Sequence, residues 1–170
     1  MIIEQTKKQI DDAINFHTHA EISSLRLARA RVWSRERITR ATGKPVNFDI
    51  NFKPGAYSEE DGALVVETDF VFAINQDQAD NPEERQPLVI IECCFEATYC
   101  FAPDFKPSEQ QIEAFRSANA VFNCWPFFRE FVQTSITRMH FPPPPVPFLK
   151  IVRKAEPPKI ETPTPSAPSN

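Results

Sequence analysis

Cysteine, histidine and acidic side chains are where this chain could do chemistry, and their spacing excludes most of it. The 170 residues hold four cysteines, Cys93, Cys94, Cys100 and Cys124, and three histidines, His17, His19 and His140. A structural zinc site needs paired ligands at spacings such as C-x-x-C. Cys93 and Cys94 are adjacent, so a strand sends them to opposite faces and they cannot converge on one ion. They are read as buried free thiols. His17 and His19 share a face in a strand but not in a helix, and no third ligand marks a metal site. Nucleotide and hydrolase signatures are absent: no G-x-x-x-x-G-K-[ST], no G-x-G-x-x-G, no H-E-x-x-H and no G-x-S-x-G. The chain therefore reads as a non-enzyme with no cofactor and no metal, and its function is sought in binding.

The side chains that could bind are aromatic. Seven of the 15 phenylalanines fall between Phe115 and Phe148, in a stretch containing "NAVFNCWPFFREFVQTSITRMHFPPPPVPFLKIV". Charged residues make up 25% of the chain and the formal net charge is −4. That balance disfavours sequence-independent nucleic-acid binding, which rests on a basic surface. The longest uncharged runs, such as Ser117 to Phe128, are 12 residues. A membrane span needs roughly 20 apolar residues, so no membrane insertion is expected. The opening "MIIEQTKKQIDDAI" places charges where a signal peptide needs its apolar centre. A cytoplasmic protein is expected.

The elements that must position these aromatics follow from periodicity. Ile3, Ile10, Ile14 and His17 recur at helical spacing, so residues 1–22 read as an N-terminal, helical extension. Four strand-like runs come next, at 23–33, 46–53, 63–76 and 88–101. In the last, Ile91, Cys93, Phe95, Ala97, Tyr99 and Phe101 take one face, and Glu92, Cys94, Glu96, Thr98 and Cys100 the other. Such alternation makes a sheet with one packed and one wet face. The connectors "KPGAYSEEDGA" and "DQADNPEERQP" are turn-like and too short for crossover helices, so the sheet should be antiparallel. Ser108 and Gln111 form a capping box that opens a helix running to about Met139. Pro126 removes a backbone donor inside it, so a kink is expected near Trp125. Trp125, Phe128, Val132, Ile136 and Met139 form one stripe. Phe127 and Phe131 widen it to about half the circumference, more than one sheet covers, which points to an oligomer. Four consecutive prolines, Pro142 to Pro145, favour an extended polyproline path. Residues 153–170 are Pro/Ser/Thr-rich and read as a disordered tail. The domain proper is 23–152. The expected fold is α+β: a four-stranded antiparallel sheet packed by one long C-terminal helix, followed by a Pro-rich crossover loop.

Those residues resemble the SecB protein-export chaperones. The family's long helix carries an aromatic-Pro-aromatic core followed by Arg-Glu, matched by Trp125, Pro126, Phe127, Arg129 and Glu130. Phe-Pro and a Pro-Val-x-Phe ending follow, matched by Phe141, Pro142, Pro145, Val146 and Phe148. Ile90, Glu92, Phe95 and Tyr99 of the fourth strand fit as well. The similarity covers about residues 24–150 and is strongest over 119–149. It implies an ATP-independent holdase for unfolded or precursor polypeptides, assembled as a homotetramer, a dimer of dimers. It implies a peptide groove at Trp125, Phe141, Val146 and Phe148, and docking of the SecA motor through the wet face at Ile90 and Glu92.

The departures from the family are specific. First-strand positions that are acidic in the export family, near Ser24 and Ala28, are not acidic here. Arg26, Arg29, Arg31, Arg35, Arg37 and Arg40 against Glu36 give residues 25–40 a charge of 6 − 1 = +5, which opposes a cationic motor. The family's second helix is also missing after Phe148, and the N-terminal helix is a candidate replacement. A dedicated chaperone of the antitoxin in a toxin–antitoxin module is therefore an alternative client role. From a different class, a small apolar-ligand carrier with a closed pocket is the other alternative.

Overall fold

The structure, a computed structural model, describes residues 1–35, 46–76 and 87–155. The connector "DQADNPEERQP" up to Gln86, Arg37, Arg40 and the tail beyond Ala155 lie outside the described residues. Four long strands form one antiparallel sheet in the order β2–β5–β4–β3: β2 (Ala20–Ser34), β3 (Val46–Glu60), β4 (Ala63–Gln76) and β5 (Pro87–Phe101). A helical column crosses one face of it. The architecture is the α+β class expected, a four-stranded antiparallel sheet under a long C-terminal helix.

The alternation of β5 places Ile91, Cys93, Phe95, Ala97 and Tyr99 in the core under the helix, all nearly fully buried. From the helix side, Val121, Cys124, Trp125, Phe128, Val132 and Ile136 meet them. Phe128 stacks on Phe70 at 4.6 Å, and Trp125 lies against both Phe70 and Phe52. These are the centre of the expected stripe. Met139, at its end, is only partly buried.

Three local readings are corrected. First, "KPGAYSEEDGA" is mostly strand: β3 continues to Glu60 through a bulge between Pro54 and Tyr57, and the turn is the short Asp61-Gly62, both at positive φ. Gly55 in the bulge admits no side chain, because a Cβ there would come within 2.8 Å of the Glu67 Cβ. Second, the helix does not break at Trp125. A capping box at Ser108 opens α2 (Glu109–Phe115), a π-helical turn spans Arg116–Ala120, and α3 (Val121–Arg138) runs through Pro126. The irregularity sits upstream of the proline, where the wider turn carries Arg116 to the Gly55 carbonyl at 2.7 Å, across the β3 bulge. Third, the N-terminal segment is not one helix. β1 (Ile2–Gln5) pairs in parallel with β6 (Lys150–Arg153), and α1 (Lys7–His19) starts at a capping box made by Thr6 and Gln9. The T-x-x-Q pattern was the available signal. The buried face of α1 is Ala13 and Phe16, while Ile14 is 56% exposed.

α1 packs on α2. Phe16 stacks on Phe115 at 4.2 Å, the buried Gln5 donates to the Ala114 carbonyl, and Gln111 donates to Asn15. At the other end, α3 stops at His140, whose φ of 61° is the left-handed cap usually given to glycine, and the Phe141 N–H closes on the Ile136 carbonyl. No described helix is long and apolar enough to cross a membrane.

Candidate polypeptide-binding surface

The helix column covers the middle of the sheet's inner face and leaves its edge bare. On β2 the inner-facing residues are those opposite Tyr99, Ala97, Phe95 and Ile91 on β5, namely Ile22, Leu25, Leu27 and Val32. Ile22, Leu27 and Val32 remain 42–48% exposed, although they sit on the packed face. Across from them, α3 turns Phe122 and Phe127 outward, at 47% and 50% exposure. Between the two runs a shallow groove of about 510 Å³, floored by Ile22, Leu25, Phe122, Pro126 and Phe127. Contiguous exposed apolar surface of this kind marks an interaction site more often than it marks chance. Phe127 was legible as a widening of the stripe. Phe122 and the β2 residues were missed, although the run "ISSLRLARARV" alternates visibly between apolar and arginine.

The proline loop builds a second apolar feature at the far side of α3. Trp125 and Val146, expected in an open groove, are each only 3% exposed. They are core, because the loop folds down onto α3 and its carbonyls find partners there. Trp125 Nε1 donates to the Pro147 carbonyl at 3.0 Å, and Arg129 Nε donates to the Val146 carbonyl at 3.2 Å. Phe141 is half-buried against the same core. Phe148 alone of the four stands out, 73% exposed, with the Arg129 guanidinium 4.5 Å from its ring centroid.

The outer face of the sheet is charged and internally paired. Arg26 makes a two-pronged bond to Glu96 at 2.7 and 2.8 Å. Arg29 reaches Asp69 at 2.7 Å and Glu67 at 3.1 Å, across the strand carrying Cys94. Glu92 meets Arg31 at 4.0 Å, and Ile90, half-buried, lies between Trp33 and Ala73 on the same face. The bonds to Glu96 and to Glu67 raise the affinities of Arg26 and Arg29 for their protons. Such exposed pairs add little stability, but they do set the face's potential. Burial pushes the Cys93 and Cys94 thiols up to about 12 and the Cys124 thiol to about 11, so all three are protonated at neutral pH. Cys100 departs from the expectation of buried thiols, since it is exposed. Among the described residues no three His, Cys, Asp or Glu side chains group as metal ligands. A cleft of about 830 Å³, lined by His17, His19, Glu21, Tyr99, Cys100 and Asn123 among others, is an open surface groove with mixed polar walls.

No protein-family model matches the chain, and no curated protein matches its sequence. A solved structure does. The Mycobacterium tuberculosis SecB-like chaperone, in complex with a ChAD peptide from the HigA1 antitoxin, superposes with a TM-score of 0.69 over 84% of this chain and 99% of that one, at 20% identity. The fold is SecB-like. A Streptococcus agalactiae protein of unknown function, at TM-score 0.34 and 12% identity over 76% of this chain and 97% of that one, carries no argument. The SecB-like fold resembles the expectation drawn from the Trp125–Phe148 segment, where the spacing of aromatics and prolines is what builds α3 and its loop.

Proposed function

We propose that this protein is a holdase chaperone: it binds extended, non-native segments of other polypeptides without ATP and keeps them from aggregating. The observation that carries this reading is the bare inner-face strip of β2, with Ile22 and Leu25 facing Phe122 and Phe127 across the groove and Leu27 and Val32 exposed further along the strand. Non-native chains have in common exposed apolar side chains and unpaired backbone. The strip offers the first, and β2, an edge strand of 15 residues, offers the second. The SecB-like fold supports the same reading. A second copy of the chain would cover part of this strip, so the working form is a dimer or a dimer of dimers. The open, mixed-polar cleft gives a closed-pocket carrier no support.

Within the holdase reading, a dedicated client is favoured over general export. Docking a cationic motor needs free carboxylates on the outer face. Here Glu67, Asp69 and Glu96 are already bonded to Arg26 and Arg29, and Glu92 has Arg31 beside it. The M. tuberculosis chaperone of the same fold holds an antitoxin peptide, which supports an antitoxin as the client class here. The test is suppression of light scattering by an aggregating, chemically unfolded protein, with and without ATP, alongside titration of SecA. Suppression independent of ATP with no SecA binding is expected. No suppression at several-fold molar excess sinks the holdase reading, and tight SecA binding overturns the preference for a dedicated client.

A further inference from the structure

Three consecutive carbonyls at the end of the proline loop are each captured by a separate donor, two from α3 and one from the N-terminus. The Val146 carbonyl accepts from Arg129 Nε, the Pro147 carbonyl from Trp125 Nε1, and the Phe148 carbonyl from the Met1 nitrogen at 3.0 Å. Prolines at 142–145 and 147 leave this stretch almost without backbone donors of its own, so these captures fix its path. Val146 and Leu149 plug into the core at 3% and 6% exposure, and Phe148 between them is forced outward. An isolated phenylalanine ring left 73% exposed would ordinarily sweep through its rotamers. This one has a guanidinium under one face, at 4.5 Å, while the same guanidinium group's Nε holds the backbone two residues earlier.

We propose that Arg129 is a positioning residue, which holds Phe148 as a fixed outward aromatic platform for the apolar side chains of a bound polypeptide. The inference rests on the holdase reading and deepens it. Arg129 is suited to both tasks at once: its planar fork donates along one edge and stacks through its face. Lysine, a compact point charge with no plane, can do one or the other. Pre-setting the ring removes ordering that a client would otherwise have to impose on binding. Arg129 itself is half-buried beneath the ring.

The test is a double-mutant cycle on the full chain, with fluorescently labelled, reduced and carboxymethylated α-lactalbumin as the probe. Anisotropy titrations compare the wild type, Arg129→Gln, Phe148→Ala and the double variant, all below the lowest melting temperature and with folding checked by circular dichroism. Phe148→Ala is expected to weaken binding about tenfold and Arg129→Gln about fivefold, from the size of such contacts. In the Phe148→Ala background, Arg129→Gln should change binding less than about twofold, because a positioning residue has nothing left to position. A structural role alone would weaken both backgrounds equally, and that outcome, or no effect in either, overturns the proposal. If Arg129→Gln does not fold, Arg129→Lys runs the same cycle, with the same coupling expected. If the wild type does not bind the probe at all, the holdase reading itself fails and takes this inference with it. Binding by the wild type without coupling removes only the role of Arg129.

Discussion

Phe128→Ala tests whether α3 is held down by its stripe or by its loop. Phe128 is fully buried, stacked on Phe70 at 4.6 Å and 13°, with Trp125 at 5.2 Å touching both rings. Both neighbours are large rings anchored elsewhere, Trp125 by its bond to Pro147, so the site cannot close over the gap. Removing the side chain forfeits about 2–3 kcal/mol of transfer free energy. A residual cavity of roughly 80 Å³ adds about 2 kcal/mol at ~24 cal/mol per Å³. The sum, about 4–5 kcal/mol, is a large part of the ~5–15 kcal/mol by which domains are stable. For a chain of this size it corresponds to a melting temperature lower by about 10–15 °C. Urea titration followed by circular dichroism measures it, and Phe148→Ala is the internal contrast. Phe148 is 73% exposed, so its loss should cost under ~1 kcal/mol. A Phe128→Ala loss below ~1 kcal/mol with an unchanged urea slope would refute the packing argument. So would a larger loss from Phe148→Ala than from Phe128→Ala.

Stability should fall on the alkaline side. The folded state raises the Cys93, Cys94 and Cys124 thiols from 9.0 to about 12, 12 and 11. Stability is therefore complete below the unfolded value and is lost as pH climbs from 9 toward the folded values. Linkage makes the loss on the order of 1 kcal/mol per thiol by pH 10. Equal urea midpoints at pH 8 and pH 10 would show that these thiols are not buried. Gly55→Ala should destabilise by about 2 kcal/mol, because its Cβ meets the Glu67 Cβ at 2.8 Å. A variant as stable as the parent would mean the β3 bulge yields. Sedimentation at micromolar concentration should give a dimer or larger, and a monomer of 19.4 kDa would leave the Phe122–Phe127 strip without the partner argued for it.

How much of this was legible in sequence depended on how local each feature is. The strands and the Ser108 capping box were readable because alternation and capping are set within a few residues. The β2 edge was harder. Its apolar positions alternate correctly, but whether Ile22 and Leu27 end up covered depends on how far across the sheet α3 reaches, and no local pattern encodes that. The burial of Trp125 and Val146 was hidden for the same reason. Aromatic residues beside prolines look like open surface, yet Trp125 carries an N–H that needs a partner when buried, and the donor-poor loop supplies the carbonyl. The π-helical turn left no signal: Pro126 drew attention to the wrong place, while Arg116, which the turn redirects to the Gly55 carbonyl, is an ordinary helix residue.

The N-terminal segment offers a last and sharper test, because the sequence separates it from the domain and the packing does not. Phe16 is fully buried, against Phe115 at 4.2 Å, Phe101 at 5.4 Å and Phe105 at 6.0 Å. β1 gives β6 its only strand neighbour in the described sheet, and the Met1 nitrogen holds the Phe148 carbonyl. Deleting residues 1–19 should thus act twice. Loss of Phe16 burial alone removes about 2–3 kcal/mol, which lowers the melting temperature by at least ~5–10 °C. Loss of β1 frees the chain just beyond Leu149, so the loop that presents Phe148 should loosen as well. Hydrogen exchange separates the two effects. Amides of Lys150 and Lys154, which donate to the Met1 and Gln5 carbonyls, should lose protection while those of Phe70 and Phe95, in the middle of the sheet, keep theirs at temperatures where the truncated chain is folded. If the truncated protein melts within ~2 °C of the parent and Lys150 stays protected, residues 1–22 are an appendage after all. In that case the proline loop is held by Trp125 and Arg129 without help from the N-terminus.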